Sequence, residues 1–154
     1  MKLSDNFSLN EFTKSQTALR NGIDNTPNEE VIENLKALCE NVLQPIREYY
    51  LMPVFISSGY RSAALNHKLG SSISSQHIQG QAADIEIFGV SNKELSDWIN
   101  DNCDFDQLIL EFHKEDDANS GWVHVSYKKD NNRKQYKRAD RNEEGKVEYT
   151  FVWQ

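Results

Sequence analysis

A chain of 154 residues, 38% hydrophobic and 27% charged, is long enough to bury the core of one domain, and a single domain over 1–154 is expected. Its formal net charge of −7 argues against a nucleic-acid backbone as the main partner, and no apolar run approaches the roughly 20 residues of a membrane span. Met1-Lys2-Leu3-Ser4-Asp5-Asn6 lacks the apolar core of a secretory signal, so cytoplasmic synthesis without a signal peptide is expected.

The chain opens with Phe7-Ser8-Leu9-Asn10-Glu11-Phe12. Ser8 and Glu11 have capping-box spacing, which predicts a short helix from Leu9, with Phe7 and Phe12 pinning the turn to the core. Arg20-Asn21-Gly22 and Asp24-Asn25 read as loop. Thr26-Pro27-Asn28-Glu29 predicts a helix start, with Thr26 as cap and Pro27 at the first helical position. Val31, Ile32, Leu35, Leu38, Cys39, Val42, Leu43 and Ile46 then form the apolar stripe of an amphipathic helix to about Tyr49, which Pro45 should kink or loosen.

A strand is expected over 53–57. Ser58-Gly59-Tyr60-Arg61-Ser62 turns out of it, and Ser62 caps a short helix that Gly70 stops. A Ser-rich loop over 71–75 leads to His77. The next strand, 81–87, places Ala82, Asp84 and Glu86 on one face and Ala83, Ile85 and Ile87 on the other. Ser91 with Glu94 starts a helix that turns Leu95, Trp98 and Ile99 inward. Strands over 107–112 and 122–127, joined by the charged loop 113–121, read as a hairpin that sets Glu111 near His124 on one sheet surface. The charged remainder holds one further strand over 147–151; its basic residues are either a solvated strand face or a contact for an anionic wall. Cys39 and Cys103 form no Cys-x-x-Cys pair and read as reduced thiols, Cys39 in the core.

Two imidazoles and one carboxylate, His77, Asp84 and His124, compose a three-ligand zinc set with a fourth position left open. Such an ion polarises a carbonyl and activates water near neutral pH. Glu111 can serve as base, and Arg61, just after a strand, can meet a substrate carboxylate or an oxyanion. Each residue alone also has a plainer reading. His124 between two valines suits a core histidine, Glu111 an edge-strand charge, and Arg61 a surface bridge. His67 and His113 read as surface residues.

Ser75-x-His77-x-x-Gly80-x-Ala82-x-Asp84, followed by Trp122-x-His124, resembles the signature of the zinc D-alanyl-D-alanine peptidase family. That family includes D-Ala-D-Ala carboxypeptidases, D-Ala-D-Ala dipeptidases and the L-alanyl-D-glutamate endopeptidases of phage lysins, and the Hedgehog domain shares its fold. Ser58-Gly59-Tyr60-Arg61-Ser62 matches the family's Ser-Gly-[Tyr/Phe]-Arg-[Ser/Thr] segment. The opening motif and Leu108-Ile109-Leu110-Glu111-Phe112 resemble a compact branch common in phages and prophages. The resemblance implies His77, Asp84 and His124 as ligands of one Zn2+ per chain. It further implies Arg61 as a catalytic and substrate-binding residue, and Ser75 and Trp122 as substrate-binding.

Many members carry the catalytic Glu as Glu-x-x-His, but here that position is Gly121. Glu111 is therefore the candidate base and His113 the runner-up. The implied fold is α+β, a small central antiparallel sheet carrying the zinc site with helices packed on one side. The implied reaction is hydrolysis of a peptide bond in bacterial peptidoglycan stem peptides, by a carboxypeptidase or a lysin-type endopeptidase. A phage or prophage endolysin, or a virion component, fits the missing signal. The alternatives are a non-catalytic zinc-binding, wall-binding module and a metal-free structural domain. Nothing in the sequence sets the oligomeric state, and a monomer is favoured.

Overall fold

A computed structural model describes residues 1–72 and 75–152, so the expected loop over 71–75 lies partly outside the described residues. Strands β1 (Lys2–Ser4) and β2 (Phe7–Ser8) form a small antiparallel pair. Helix α1 (Leu9–Thr13) starts where the capping box predicts, and the Ser8 N–H donates to Glu11 Oε2 at 2.7 Å. A second short helix, α2 (Gln16–Arg20), was not expected; the Ser15 hydroxyl caps it by accepting the Ala18 N–H.

Helix α3 (Glu29–Leu38) begins later than the Thr26-Pro27 signal suggests. Asn28 is its cap, with Oδ1 accepting the Val31 N–H at 2.9 Å. The Thr26 N–H donates instead to Asp24 Oδ1, which holds Thr26 in the preceding loop. One π-helical turn (Cys39–Leu43) joins α3 to α4 (Gln44–Tyr50). Pro45 has no N–H to return to the turn before it, so the loosening falls just ahead of the proline. Strand β3 (Phe55–Ser58) follows, then α5 (Ala63–Lys68), where the Ser62 hydroxyl accepts the Leu65 N–H. The remaining elements are β4 (Ala82–Glu86), α6 (Asn92–Asn102), β5 (Gln107–Glu111), β6 (Trp122–Ser126), β7 (Gln135–Arg141) and β8 (Val147–Phe151).

The α+β class holds, but the sheet is neither small nor wholly antiparallel. Six strands run in the order β3-β4-β6-β5-β7-β8, and β5 pairs with β7 in parallel. Strand β6 already occupies one side of β5 through the 107–126 hairpin. The returning chain is caught at the start of β5, where the Lys134 N–H donates to the Phe105 carbonyl and the Gln135 N–H to the Asp106 carbonyl. Strand β7 thus enters at the same end as β5 and must run with it.

One face of this sheet carries Ala83, Ile85, Leu108, Leu110, Val123, Val125 and Tyr136 into a core shared with Leu35, Leu38, Leu43, Leu95 and Ile99. Burying each large aliphatic side chain contributes roughly 2 kcal/mol. Trp98 packs at the margin, stacked on Tyr49 with ring centroids 4.8 Å apart. Cys39 and Cys103 are both buried free thiols, as read from their spacing. The opposite face of the sheet, away from this core, carries Asp84, Glu111 and His124 among Ala82, Ile109 and Ala139.

Asp106 fastens the return of the chain and had no sequence signal. It is fully buried and accepts the Arg133 backbone N–H at 3.0 Å, Arg133 Nε at 2.9 Å and Nη2 at 2.6 Å, and Gln76 Nε2 at 3.1 Å. Burial alone would raise its carboxyl, but the bonds from Arg133 outweigh burial and hold it far below the usual carboxylate range. A depressed folded pKa adds stability that is present at neutral pH and fades as pH falls through the ordinary aspartate range. Asp106→Asn is therefore expected to cost about 3 kcal/mol at neutral pH. In urea titrations the gap to wild type should narrow by about 1 kcal/mol at a pH near 3.

Candidate metal centre

Register alone brings two of the expected residues together. In the β4–β6 ladder Asp84 lies directly opposite His124, and both side chains project from the sheet face that the helices leave open. His124 Nδ1 sits 2.9 Å from Asp84 Oδ1. His77 comes from a turn over 76–80, in which its own N–H donates to the Ser75 hydroxyl at 3.2 Å. Gly80 closes that turn with φ +72°, and a Cβ there would press on Val31, so the turn lies flat on α3. His77 Nε2 ends 3.6 Å from the same Asp84 Oδ1, and one donor atom from each of the three residues lies within 4.8 Å of the others.

The orientation of His77 traces back to the opening motif. Its Nδ1 lies 2.6 Å from the Gly59 carbonyl oxygen. A carbonyl can only accept, so Nδ1 carries the proton and a neutral ring presents Nε2 as its free lone pair. Gly59 is held in turn by α1: the Tyr60 N–H donates to the Phe12 carbonyl at 2.7 Å, and a Cβ on Gly59 would fall 2.7 Å from the Phe12 backbone. Asn25 closes the same turn, its Nδ2 donating to the Tyr60 carbonyl and its Oδ1 accepting the Ser62 N–H. The roles of Gly59 and Asn25 were missed; the quoted Ser-Gly-Tyr-Arg-Ser segment contained the glycine, but no local signal shows a carbonyl's aim.

Burial lowers the His77 pKa and keeps the ring neutral, as a ligand requires. Burial works against ionised Asp84, but the hydrogen bond from His124, with the His77 ring nearby, outweighs it and holds the carboxyl well below its usual range. For His124 burial again favours the neutral form, yet Asp84 and Glu111 prevail and raise its pKa. Two imidazoles around an anionic carboxylate in a largely buried site that keeps an edge to solvent suit a divalent, nitrogen-loving ion, and zinc fits this donor set.

Arg61 reaches the same carboxylate, with Nη2 3.8 Å from Asp84 Oδ2, while Nε donates to the Ser58 hydroxyl and Nη1 to the Ser71 hydroxyl. Glu111 stands opposite Trp122 in the β5–β6 ladder, beside the Ile109–His124 pair and on the same face, as the hairpin reading expects. Burial pushes its carboxyl up, and nearby Asp84 adds to the rise against the pull of His124. The Trp122 ring packs on Phe112, and its buried indole N–H lies beside the Glu111 carboxylate, opposing the rise that burial causes there.

His113 is not the surface residue expected. It is buried, and its Nδ1 lies 3.2 Å from the Ser120 carbonyl, so it staples the 113–121 loop. His67 is exposed, as read. Gly121 has φ +67°, and a Cβ there would collide with the Glu111 carbonyl oxygen, so this hairpin admits no side chain at that position. A cleft of about 1050 Å³ opens between α1–α2 and the edge strand β3. Lys14 and Arg61 are the charged residues on its wall, which carries no carboxylate.

No curated protein matches the chain. A family model described as Peptidase M15 matches residues 5–126, a stretch running from the opening motif through β6 and taking in His77, Asp84 and His124. That match covers most of the chain, and it names the same group that the motifs resemble: the chain belongs to the peptidase M15 family, the zinc D-Ala-D-Ala peptidases.

Proposed function

We propose that this protein is a zinc-dependent hydrolase of peptide bonds in bacterial peptidoglycan stem peptides. The convergence of one donor atom each from His77, Asp84 and His124 within 4.8 Å supports this reading best. His77 Nε2, an Asp84 carboxylate oxygen and His124 Nδ1 would hold the ion. When bound, zinc supplies Lewis acidity that activates water and polarises the scissile carbonyl. Glu111 takes the proton from the attacking water at its carboxylate and passes it to the departing amine, a task its raised pKa suits. The Arg61 guanidinium, fixed by Ser58 and Ser71, faces the developing oxyanion or a substrate carboxylate. The Trp122 indole N–H, beside the Glu111 carboxylate, lines the substrate side of the site, and Ser75 shapes the turn that presents His77. The cleft beside β3, cationic at Lys14 and Arg61, suits an extended peptide with an anionic end.

Among the described residues no helix is long and apolar enough to cross a membrane. The resemblance of the opening motif and of Leu108-Ile109-Leu110-Glu111-Phe112 to a branch common in phages and prophages supports phage or prophage lysis, or a virion-borne wall hydrolase, as the proposed setting. Synthetic stem peptides incubated with zinc-loaded protein and analysed by mass spectrometry test the activity. The expected result is a single cleavage, lost on chelation and restored by zinc. A protein that holds one zinc per chain yet leaves every stem peptide intact would instead be a binding module.

A further inference from the structure

The chain is electrically divided. Residues 1–126 carry nine Lys or Arg against nineteen Asp or Glu, whereas 127–152 carry eight against five. This basic segment lies outside the family match and forms the β7–β8 hairpin that widens the site-bearing sheet. Register assigns its faces. Ile109 pairs with Lys137 and Glu111 with Ala139, so Lys137, Ala139 and Arg141 share the face of Glu111 and His124. Across the hairpin Lys137 pairs with Phe151 and Ala139 with Tyr149, which puts both rings on that face too. The only acids of the two strands, Asp140 and Glu148, pair with each other on the opposite face.

The result is an exposed strip that is aromatic and cationic and has no carboxylate of its own. Tyr149 and Phe151 are each about half exposed, and Lys137 Nζ lies over both rings, 5.9 and 5.4 Å from their centroids. Tyr149 stands two strands from Glu111, about 10 Å at the usual strand spacing. That distance is spanned by roughly three extended residues.

We propose that this face of β7–β8, with Lys137, Tyr149 and Phe151 at its centre, is an accessory binding surface for the wall polymer that carries the peptide substrate, its rings against the sugars of the glycan strand and its cations against carboxylates of neighbouring stem peptides. The proposal rests on the peptidase reading, because it takes the polymer's peptide to lie in the metal centre. Charge complementarity favours a polymer bearing carboxylates: Lys137 and Arg141 give this strip positive charge on a chain of net charge −7, so it draws such a polymer to the one side of the sheet that bears the site. Exposed rings supply flat apolar area against sugar faces at little conformational cost.

The test uses full-length, zinc-loaded protein carrying Glu111→Gln, so that binding is read without cleavage, and purified sacculi as probe. Adding Lys137→Glu or Tyr149→Ala separately should each weaken co-sedimentation with sacculi about tenfold. Wild-type binding should weaken with added salt. Glu148→Ala, on the opposite face, should bind as before. In the otherwise wild-type chain the same two substitutions should leave turnover of a short soluble stem peptide and the melting temperature unchanged. Undiminished binding by both folded variants would overturn the proposal. So would a wild type that is dimeric and becomes monomeric in Tyr149→Ala, since the strip would then be a self-association surface. Failure of the wild type to cleave soluble peptide would strike the peptidase reading alone, since binding to sacculi is read separately.

Discussion

His124→Ala is expected to take metal content from about one zinc per chain to near none and to cut peptide hydrolysis by at least about a thousandfold. The residue sits mid-strand between buried Val123 and Val125, inside the sheet, and among the described residues no third imidazole stands close enough to replace it. The sheet itself should survive. Losing the 2.9 Å bond to Asp84 costs the metal-free protein about 1–3 kcal/mol, and His77 and Arg61 still face that carboxylate. Metal analysis paired with thermal melts separates these effects. Chelation should lower the wild-type melting temperature, because an ion that binds only the folded chain adds its binding energy to folding. The same treatment should leave His124→Ala unmoved. A variant that retains a full complement of zinc would place the ion elsewhere.

Glu111→Gln is expected to slow hydrolysis by about 10²–10⁴-fold with zinc content unchanged. Gln keeps the shape and loses the proton acceptor. Burial raises the Glu111 pKa, and a base must be ionised to work. Wild-type activity should therefore be present where Glu111 is ionised and disappear as pH falls through its titration. The residual rate of the variant should lack that dependence. Full activity in Glu111→Gln would assign the base elsewhere. Gly121 would not be its home, because the backbone there leaves no room for a side chain.

Elements with a local cause were legible in the sequence. The hydroxyls of Ser62 and Ser91 cap the helices predicted from them, and the alternation of 81–87 gives β4 its two faces. The 107–126 hairpin follows from two apolar runs around a charged loop. Strand β7 was not legible. Gln135-Tyr136-Lys137-Arg138-Ala139-Asp140-Arg141 buries only Tyr136 on the core face and Ala139 on the other, too weak a period to announce a strand. Its parallel pairing depends on Asp106, nearly thirty residues away in sequence, whose carboxylate looked like any surface charge.

The candidate metal centre was legible only in part. His77, Asp84 and His124 come from a turn and two strands, and their spacing alone does not bring them together. Resemblance assembled the set, and register explains why two of its members meet. The burial of His113 escaped notice because a charged loop conceals a staple made through a backbone carbonyl.

The parallel pairing of β5 with β7 has a consequence for where this domain can be cut. Family resemblance stops at residue 126, but the physical unit does not. Tyr136 of β7 is buried, and its hydroxyl lies against Ser96 and Asp97 of α6. The Phe112 N–H needs the Ala139 carbonyl, and Asp106 needs Arg133. A fragment ending at residue 126 would strip one whole side of β5 of its ladder, open the floor of the core and leave a buried carboxylate without its counter-charge. The smallest autonomous version of this protein therefore ends no earlier than β7.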